Sequence, residues 1–395
     1  MEPSFSCSSS SSPHPIPHRR HVFRRKSHQQ RRSSQTDLNS TSRQASLRFQ
    51  DSIKEIAFSH LRSLRPSRLA SPNFSYLLLP QTLLHSLISL YQFQSPFDFV
   101  NDPNGVKISQ SCNGLLLCSS SCLSTSDYSH TRYYVLNPTT KYFSTIPRPT
   151  NGDDRNNFLV SMNLAFDPSV SFHSKLVALR SKSWRGPDFK AAVYSSETKT
   201  WTFSQVSHAY STSIVFEIGV FLNGKIHWPT CHSLRSIYYD VNQDRLFPLP
   251  MPHISIFKQL LYFAESGGRL QLIEFSKNCT HHFHVFELET NYSKWFVNYH
   301  VDLQLAVPDF PEMYHAHPHR PCMGYTFSVL CLLGGDVEGD SCLVLYVPGK
   351  VISYNFKDES FRKVCDLNLS LGDIDYVRVR PWFTVHPCMD TIFPV

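Results

Sequence analysis

The sequence predicts an all-β fold: a β-propeller of about six four-stranded blades, preceded by a short helical segment and a disordered basic N-terminal arm. Three observations support this prediction. Charged residues make up only 17% of the 395 residues and aromatic residues 13%, and aromatic side chains suit pleated, half-buried strands. A hairpin-like unit recurs five times along the chain. Short apolar runs of strand length lie between its copies.

The recurring unit is an aromatic-rich strand, a polar turn and a second strand that often ends in proline. Its five copies occupy residues 133–147, 192–201, 237–250, 284–295 and 351–361. Equivalent turn residues follow one another at intervals of 58, 46, 46 and 68 residues: Thr140, Thr198, Asp244, Thr290 and Asp358. Propeller blades contain about 40 to 50 residues each, so the two longer intervals require only loop insertions.

Repetition of this unit has a physical reason, because a single four-stranded blade cannot bury both of its faces. Stacked radially, each blade covers its neighbour. Further strands are expected between the hairpins, at 114–118, 164–166, 175–179, 219–228, 269–275, 325–333 and 342–347. Terminal strands around 377–385 bring the expected number of blades to about six. Two packed β-sandwiches would not require the same hairpin five times.

Residues 1–46 form a low-complexity arm of Ser, His, Arg and Gln, which has too few apolar residues to fold and is expected to be disordered. Its first 36 residues carry seven basic residues and one acid, so most of the formal net charge of +7 belongs to the arm. Three interpretations stay open: a nuclear-localisation cluster between residues 19 and 32, an organellar transit peptide, or a solvated tail. The expected location is the nucleus, the cytoplasm or both.

Residues 47–93 are expected to form a short helical region. Apolar residues recur there at three- and four-residue steps, which is typical of one face of an amphipathic helix: Ile53, Ile56, Ala57, Leu61 and Leu64. Pro66 ends that helix, and a second short helix is expected at 83–90. The propeller is expected to occupy residues 94–395.

The composition excludes several function classes. Outside the first 36 residues the chain has 31 basic and 30 acidic residues, so it lacks the positive surplus that nucleic-acid binding requires. No run of 18 apolar residues predicts a membrane span, and the first 46 residues contain no apolar run of signal-peptide length. The 11 cysteines include no Cys-x-x-Cys pair, which argues against a zinc ribbon and favours free thiols in a reducing compartment.

Two histidine runs are the strongest candidates for metal binding. His281, His282 and His284 belong to one expected strand, where His282 and His284 face the same side, and a second run spans 315–319. A zinc site needs three or four converging ligands, and neither run has acids or thiols at standard spacing, so no metal is expected. The sequence also lacks a nucleophile elbow and a Gly-rich phosphate loop. It therefore predicts no catalytic residues, no cofactor and no enzymatic activity.

Recognition of another protein is the remaining function class. The loops of a propeller gather on two faces, where they are available to partners. The turn at 182–185 places Trp184 among basic residues, and Trp and Arg are frequent anchors of protein interfaces. The alternative for any single Trp in this chain is a position in the core of a blade.

Six motifs in collinear order, at 111–118, 134–141, 164–168, 193–198, 221–228 and 348–352, resemble a known family. They include Ser111-Cys112-Asn113-Gly114 and Phe221-Leu222-Asn223-Gly224-Lys225-Ile226-His227-Trp228. Together they are similar to the F-box-associated domain of plant F-box proteins, a kelch-like β-propeller, over about residues 105–370. The resemblance implies a propeller that selects protein substrates for an SCF-type (cullin-RING) ubiquitin ligase and has no catalytic activity of its own.

The F-box that precedes the propeller in this family is matched only in part, as in a truncated or degenerate F-box. The segment 71–74 is similar to its ending and the segment 46–49 to an interior piece, whereas the opening Leu-Pro helix and a Trp are missing. The candidate contacts to an SKP-type adaptor are apolar: Ile53, Ile56, Leu61 and Leu64.

Two hypotheses about function follow from the resemblance. The first is a ligase substrate receptor, whose partners are a protein substrate, the adaptor and a cullin. The second is an F-box-defective scaffold of the same fold that no longer binds the adaptor. An enzyme of the galactose-oxidase or sialidase propeller type would instead require a bound metal or an acid–Tyr–Arg pocket.

Overall fold

The computed structural model describes residues 76–80, 91–93, 97–120, 131–150, 158–182, 188–209, 214–230, 235–252, 258–276, 281–314, 325–334, 341–366, 384–388 and 391–395. All of them lie in the unit Asn73–Val395. The helices within these ranges are three short 3₁₀ helices, at Asp98–Val100, Leu303–Ala306 and Pro311–Met313. Among the residues described, no helix has the length and hydropathy that a membrane crossing requires.

The described strands are numbered β1 to β23 along the chain. The first two are β1 (Tyr76–Pro80) and β2 (Tyr91–Phe93). Blade 1 contains β3 (Val106–Cys112), β4 (Leu115–Ser120), β5 (Tyr133–Asn137) and β6 (Tyr142–Ile146). Blade 2 contains β7 (Phe158–Ala165), β8 (Lys175–Ser181), β9 (Asp188–Ser195) and β10 (Thr200–Ala209).

The remaining blades have the same composition. Blade 3 contains β11 (Val220–Leu222), β12 (Lys225–Trp228), β13 (Arg235–Asp240) and β14 (Arg245–Pro250). Blade 4 contains β15 (Lys258–Ser266), β16 (Arg269–Ser276), β17 (His282–Leu288) and β18 (Trp295–Asp302). Blade 5 contains β19 (Ser328–Leu333), β20 (Cys342–Val347), β21 (Lys350–Asn355) and β22 (Ser360–Asp366), and the last strand is β23 (Thr384–Cys388).

Each blade is an antiparallel sheet whose four strands pair in chain order. The second strand of a blade is largely buried, because both of its faces are covered by neighbouring blades. In β4, for example, Leu115, Leu116, Leu117 and Cys118 are all fully buried. The fourth strand lies at the outer edge and is more exposed, as the burial patterns of β6, β18 and β22 show.

The blades are arranged in a ring. Their first strands lie side by side in the order β3, β7, β11, β15 and β19, and β23 neighbours both β19 and β3. β23 pairs in parallel with β1, from Tyr76 opposite Thr384 to Pro80 opposite Cys388, and β2 pairs antiparallel with β1. The ring is therefore closed by a sheet that joins strands from before blade 1 and after blade 5.

The predicted all-β propeller is confirmed, with a correction to the number of blades. Five sheets have four strands, whereas the sheet formed by β1, β2 and β23 has three within the described residues. The prediction of about six four-stranded blades counted the terminal strands near 377–385 as part of a sixth blade. β23 pairs instead with β1, which lies within the region 47–93 that was expected to be helical.

The prediction of a helical region at 47–93 is wrong for the residues described there, which form β1 and β2. Leu77, Leu78 and Leu79 make a short apolar run that periodicity alone cannot assign to a helix or a strand, and pairing with β23 decides it. The helices expected at 53–64 and 83–90 and the arm 1–46 lie outside the described residues. The segment limits 1–46, 47–93 and 94–395 stay predictions.

The recurring sequence unit is the outer hairpin of each blade: β5–β6, β9–β10, β13–β14, β17–β18 and β21–β22. The last residue of the four-residue turns has φ between 48° and 59°: Lys141, Lys199, Asp244 and Glu359. A polar side chain at the start of the turn compensates for lost backbone pairing. Asn137 Oδ1, for example, accepts hydrogen bonds from the backbone N–H groups of Thr139 (2.9 Å) and Thr140 (3.1 Å).

The apolar core lies between adjacent blades. The cluster between blades 2 and 3 includes Leu179, Ala191, Ile226, Trp228 and Tyr239. Hydrogen bonds between blades reinforce this packing: Trp201 Nε1 donates to the Pro147 carbonyl (2.8 Å), and Trp295 Nε1 donates to the Pro250 carbonyl (2.7 Å). The Trp and Pro residues of the repeated unit therefore form hydrogen bonds between one blade and the preceding one.

Candidate recognition face

The two ends of each blade differ in their connections. In an antiparallel sheet with strands in chain order, the first and third turns lie at one end, and the second turn and the link to the next blade lie at the other. Because all five blades repeat this order around the ring, equivalent ends gather on the same side. We call the side with the first and third turns the tight-turn face, and the side with the second turns and the links between blades the long-loop face.

The tight-turn face is built largely from short turns. Three first turns consist of two residues each: Asn113-Gly114, Asn223-Gly224 and Gly267-Gly268. All six residues have φ between 47° and 87°, the conformation of a type I′ hairpin turn, which Asn and Gly adopt most readily. Turns of this kind set the strand register and leave few side chains for recognition.

The long-loop face carries the links between blades, which are longer. These links run from Ile146 to Phe158, from Ala209 to Val220, from Pro250 to Lys258 and from Asp302 to Ser328. Long loops on a rigid scaffold are common positions for binding residues, because they vary in sequence without disturbing the fold. This face is therefore the stronger candidate for recognition.

Exposed apolar side chains are present on the long-loop face. Phe158 and Ile218 lie at or just before the starts of β7 and β11 and are 48% and 39% exposed. Leu305 and Tyr314, in the link that precedes β19, are 53% and 44% exposed. Exposed aromatic and aliphatic residues of this kind are the usual anchors of protein interfaces.

The described start of the link between blades 4 and 5, residues 303–314, makes several fixed contacts. Asp302 Oδ1 accepts a hydrogen bond from the backbone N–H of Gln304 (2.9 Å), which caps the 3₁₀ helix Leu303–Ala306. Glu312 forms an ion pair with Lys350, the first residue of β21, which follows the β20–β21 turn on the same face. The rings of Tyr314 and Tyr325 are 5.2 Å apart. Leu305 and Tyr314 are therefore presented by an ordered segment.

A second exposed apolar group lies on the tight-turn face. Val170 and Phe172, in the β7–β8 connection, are 81% and 63% exposed, and Ile392 is 85% exposed. Phe172 stacks on Phe393 with 5.6 Å between ring centroids, so the segment 391–395 packs beside this connection. Val170 and Phe172 provide a matched comparison for the long-loop face.

A buried histidine joins blades 3 and 4. His227 is fully buried, and its Nδ1–H donates to the Val220 carbonyl (3.2 Å), so Nε2 accepts from the Tyr292 hydroxyl (2.8 Å). Its ring also stacks on Tyr292, with 5.4 Å between centroids. Burial lowers the pKa of His227 to about 3 and raises the pKa of Tyr292 to about 12. Both groups are therefore neutral at physiological pH, as this hydrogen-bond pattern requires.

A buried polar network joins blades 1, 2 and 3. Gln110 Nε2 donates to the Leu164 carbonyl (3.0 Å), and Gln110 Oε1 accepts from the Leu164 backbone N–H (2.8 Å). Asn163 Nδ2 donates to Gln110 Oε1 (3.2 Å), and Asn163 Oδ1 accepts from Trp228 Nε1 (3.1 Å). Ser161 donates to the same Asn163 oxygen (2.5 Å). The network fixes the positions of blades 1, 2 and 3 relative to one another.

Comparison with known proteins identifies the family to which this chain belongs. A family model described as F-box protein At3g26010-like, beta-propeller, matches residues 82–325. The F-box protein At5g07610 of Arabidopsis thaliana is 32% identical to this chain over 323 residues, which cover 75% of this chain and 74% of that protein. The chain belongs to the plant F-box protein family. The resemblance noted in the sequence is thereby confirmed.

Similarity to solved structures is much weaker. A chain from a structural study of two prolyl endopeptidases has a TM-score of 0.38 at 8% identity, and the match covers 67% of this chain and 36% of that one. A chain of the mitotic checkpoint complex has a TM-score of 0.34 at 10% identity, covering 75% of this chain and 64% of that one. These scores are too low to bear on the function of the F-box propeller.

The structure gives a physical role to several motifs that carry the F-box resemblance. Asn113-Gly114 and Asn223-Gly224 are the type I′ turns of blades 1 and 3. His227 and Trp228, which end the motif at 221–228, are the buried histidine of the blade 3–4 seam and the indole of the polar network. The motifs therefore mark turns and contacts between blades rather than an exposed binding site.

The candidate adaptor contacts Ile53, Ile56, Leu61 and Leu64 lie outside the described residues of this F-box protein. Trp184 and the histidine run at 315–319 also lie outside them. His282 and His284 lie on one side of β17, as predicted, since Phe283 between them is buried in the core. Sequence spacing did not indicate Leu305 or Tyr314, because an isolated apolar residue in a loop carries no periodic signal.

The described cysteines are poor nucleophiles. Cys112, Cys118, Cys331, Cys342 and Cys365 are free thiols. Burial raises the pKa of Cys112 to about 12 and that of Cys342 to about 11, and it raises the pKa of the other three as well. Since the thiolate is the reactive form, these five thiols are expected to be inert at neutral pH.

Proposed function

We propose that this F-box protein is the non-catalytic substrate receptor of an SCF-type ubiquitin ligase. The observation that carries the proposal is its 32% identity to an F-box protein over three quarters of both chains. The propeller recognises a target protein, and residues N-terminal to it bind an SKP-type adaptor, which connects them to a cullin. The nucleus or the cytoplasm is the expected location of this activity.

Recognition is assigned to the long-loop face. Leu305 and Tyr314 are exposed on an ordered segment, so their burial by a partner would cost little conformational entropy. Phe158 and Ile218 extend the apolar character of this face towards the starts of β7 and β11. The target is therefore expected to present an apolar surface to this side of the ring.

Adaptor binding is assigned to Ile53, Ile56, Leu61 and Leu64, the apolar face of the helix expected there. The missing opening helix and Trp of the F-box favour a second candidate function, a scaffold of the same fold that does not bind the adaptor. The two candidates predict different behaviour towards the adaptor and the same behaviour towards the target.

Co-purification of an SKP-type adaptor with the full chain separates these candidates. The receptor hypothesis predicts that the wild type retains the adaptor, and that Ile53→Asp or Leu61→Asp lowers retention at least about tenfold by burying a charge. Ser59→Asp, on the polar side of the same expected helix, is the matched control and should retain the adaptor. Truncation at residue 94 is unsuitable, because it removes β1 and β2 from the sheet that closes the ring. A wild-type chain that does not retain the adaptor would support the scaffold.

A further inference from the structure

The segment 391–395 lies in a groove between blades 1 and 2, and its burial alternates along the chain. Thr391 is buried and Phe393 and Val395 are half-buried, whereas Ile392 is 85% exposed. Successive side chains of an extended chain point to opposite sides. The segment is therefore bound as an extended peptide, with every second side chain facing the propeller.

Side chains of blade 1 hold the main chain of this segment. Asn137 Nδ2 donates hydrogen bonds to the carbonyl oxygens of Thr391 (2.9 Å) and Phe393 (2.9 Å). The Ser144 hydroxyl donates to the main-chain oxygen of Val395 (3.1 Å). Asn137 is fully buried, and its Oδ1 is fixed by the backbone N–H groups of the β5–β6 turn. The turn of blade 1 thus presents a rigid amide that binds an extended main chain.

Blade 2 contacts the side chains of the segment. The ring of Phe393 packs edge-on against Phe166, with 5.7 Å between centroids, and stacks on Phe172 at 5.6 Å. Phe393 and Val395 also pack against the apolar cluster that blades 1 and 2 share. The groove is therefore suited to an aromatic residue followed two positions later by an aliphatic residue.

The segment is bound to the propeller without being part of a sheet. Within the described part of the chain, residues 391–395 belong to none of the strands. Pro394 has no backbone N–H and so cannot complete a regular strand ladder. A short segment outside the sheets opens at a lower free energy than the strands around it. The segment can therefore leave the groove while the blades stay folded.

We propose that this groove is a peptide-binding site and that the segment 391–395 is its built-in ligand. The external ligand is an extended peptide of a partner protein with the pattern of Phe393 and Val395, an aromatic residue and an aliphatic residue two positions further along. Tethering gives the segment an effective concentration in the mM range. An external peptide is therefore excluded until the segment detaches. Asn137 and Phe172 place the site towards the tight-turn face, and the site does not depend on the proposed function.

Binding of a fluorescently labelled peptide of residues 390–395 to the full chain, followed by fluorescence anisotropy, tests this site. Phe393→Ser should empty the groove and bind the labelled peptide at least about tenfold more tightly than the wild type. Ile392→Ser is the matched control. It changes the exposed neighbour of Phe393 and should exclude the peptide as the wild type does. Circular dichroism establishes that each variant is folded.

Asn137→Asp tests the amide that holds the segment. Aspartate keeps the acceptor oxygen that the turn requires, but it replaces the amide donor with an oxygen that faces two carbonyl oxygens. When this change is added to Phe393→Ser, the affinity for the labelled peptide should fall at least about tenfold. In the otherwise wild-type chain, it should speed hydrogen exchange of the backbone amides in residues 391–395.

Failure of the Phe393→Ser chain to bind the peptide, or equal affinity in that chain and the wild type, would overturn the site. Unchanged peptide affinity and unchanged exchange in the Asn137→Asp variants would overturn the role of Asn137. Wild-type dimers that Phe393→Ser abolishes in analytical ultracentrifugation would overturn a ligand from the same chain, because the segment would then fill the groove of a second copy. None of these outcomes depends on binding to the adaptor or to a target protein.

Discussion

The seam between blades 3 and 4 is expected to weaken as the pH falls, because His227 is neutral in the folded chain. Burial lowers its pKa to about 3, whereas an unfolded histidine has a pKa of about 6.5. Below pH 6.5 the unfolded chain therefore binds a proton that the folded chain does not. The stabilising effect of the neutral ring is complete above about pH 6.5 and is lost progressively down to about pH 3.

The magnitude follows from the difference between the two pKa values. Each pH unit between them changes the free energy of unfolding by about 1.4 kcal/mol, so a shift from pH 7.5 to pH 5 should remove about 2 kcal/mol. The chain contains 20 histidines in all. The informative quantity is therefore the difference between the wild type and His227→Gln, which keeps polar atoms in the cavity but does not titrate.

Urea unfolding of both proteins at pH 7.5, 6.5, 5.5 and 5.0 gives this difference. His227→Gln should be destabilised at pH 7.5, because the stacking on Tyr292 and the bond to its hydroxyl are lost or altered. The penalty should shrink by about 2 kcal/mol at pH 5. Parallel pH profiles for the two proteins would refute the assignment of a neutral, buried His227.

Two further substitutions test the contacts between blades. Gly219→Ala would place a Cβ 2.0 Å from Asn163 Nδ2. We therefore expect it to lower the free energy of unfolding by about 1 to 3 kcal/mol in urea titrations. A change below about 0.5 kcal/mol would mean that the Asn163 side chain moves aside at little cost. Trp295→Phe keeps a six-membered aromatic ring and removes the pyrrole part of the indole together with its hydrogen bond to the Pro250 carbonyl. We expect the free energy of unfolding to fall by at least about 1 kcal/mol, and an unchanged denaturation midpoint would show that the bond adds nothing.

Most of the propeller was predictable because its strongest signals are local. The outer hairpins share an aromatic strand, an Asx or Ser turn and a residue with positive φ, as at Asn137 and Lys141. Each of these features depends on a few neighbouring residues. The continuous apolar run of β4 likewise reflects burial of both faces of one strand.

The sheet that closes the ring was not predictable in the same way. β1 acquires its structure from parallel pairing with β23, about 300 residues later in the chain. Neither strand has a turn signal or a regular alternation that would identify its partner. The positions of His300 and Glu274 opposite His284 were not predictable either, since only strand register brings them together. Exposed Leu305 and Tyr314 lie in a loop, where no periodicity exists to mark them.

Ubiquitin transfer in a reconstituted complex of the full chain, an SKP-type adaptor and a cullin-RING module tests the central claim most directly. Proteins that the wild type captures should become ubiquitinated. Leu305→Ser/Tyr314→Ser on the long-loop face should reduce transfer at least about tenfold, equivalent to about 1.4 kcal/mol of binding free energy. Val170→Ser/Phe172→Ser, on the tight-turn face, should leave it unchanged. Transfer that does not depend on the chain, or that is lost only in the tight-turn variant, would contradict this account.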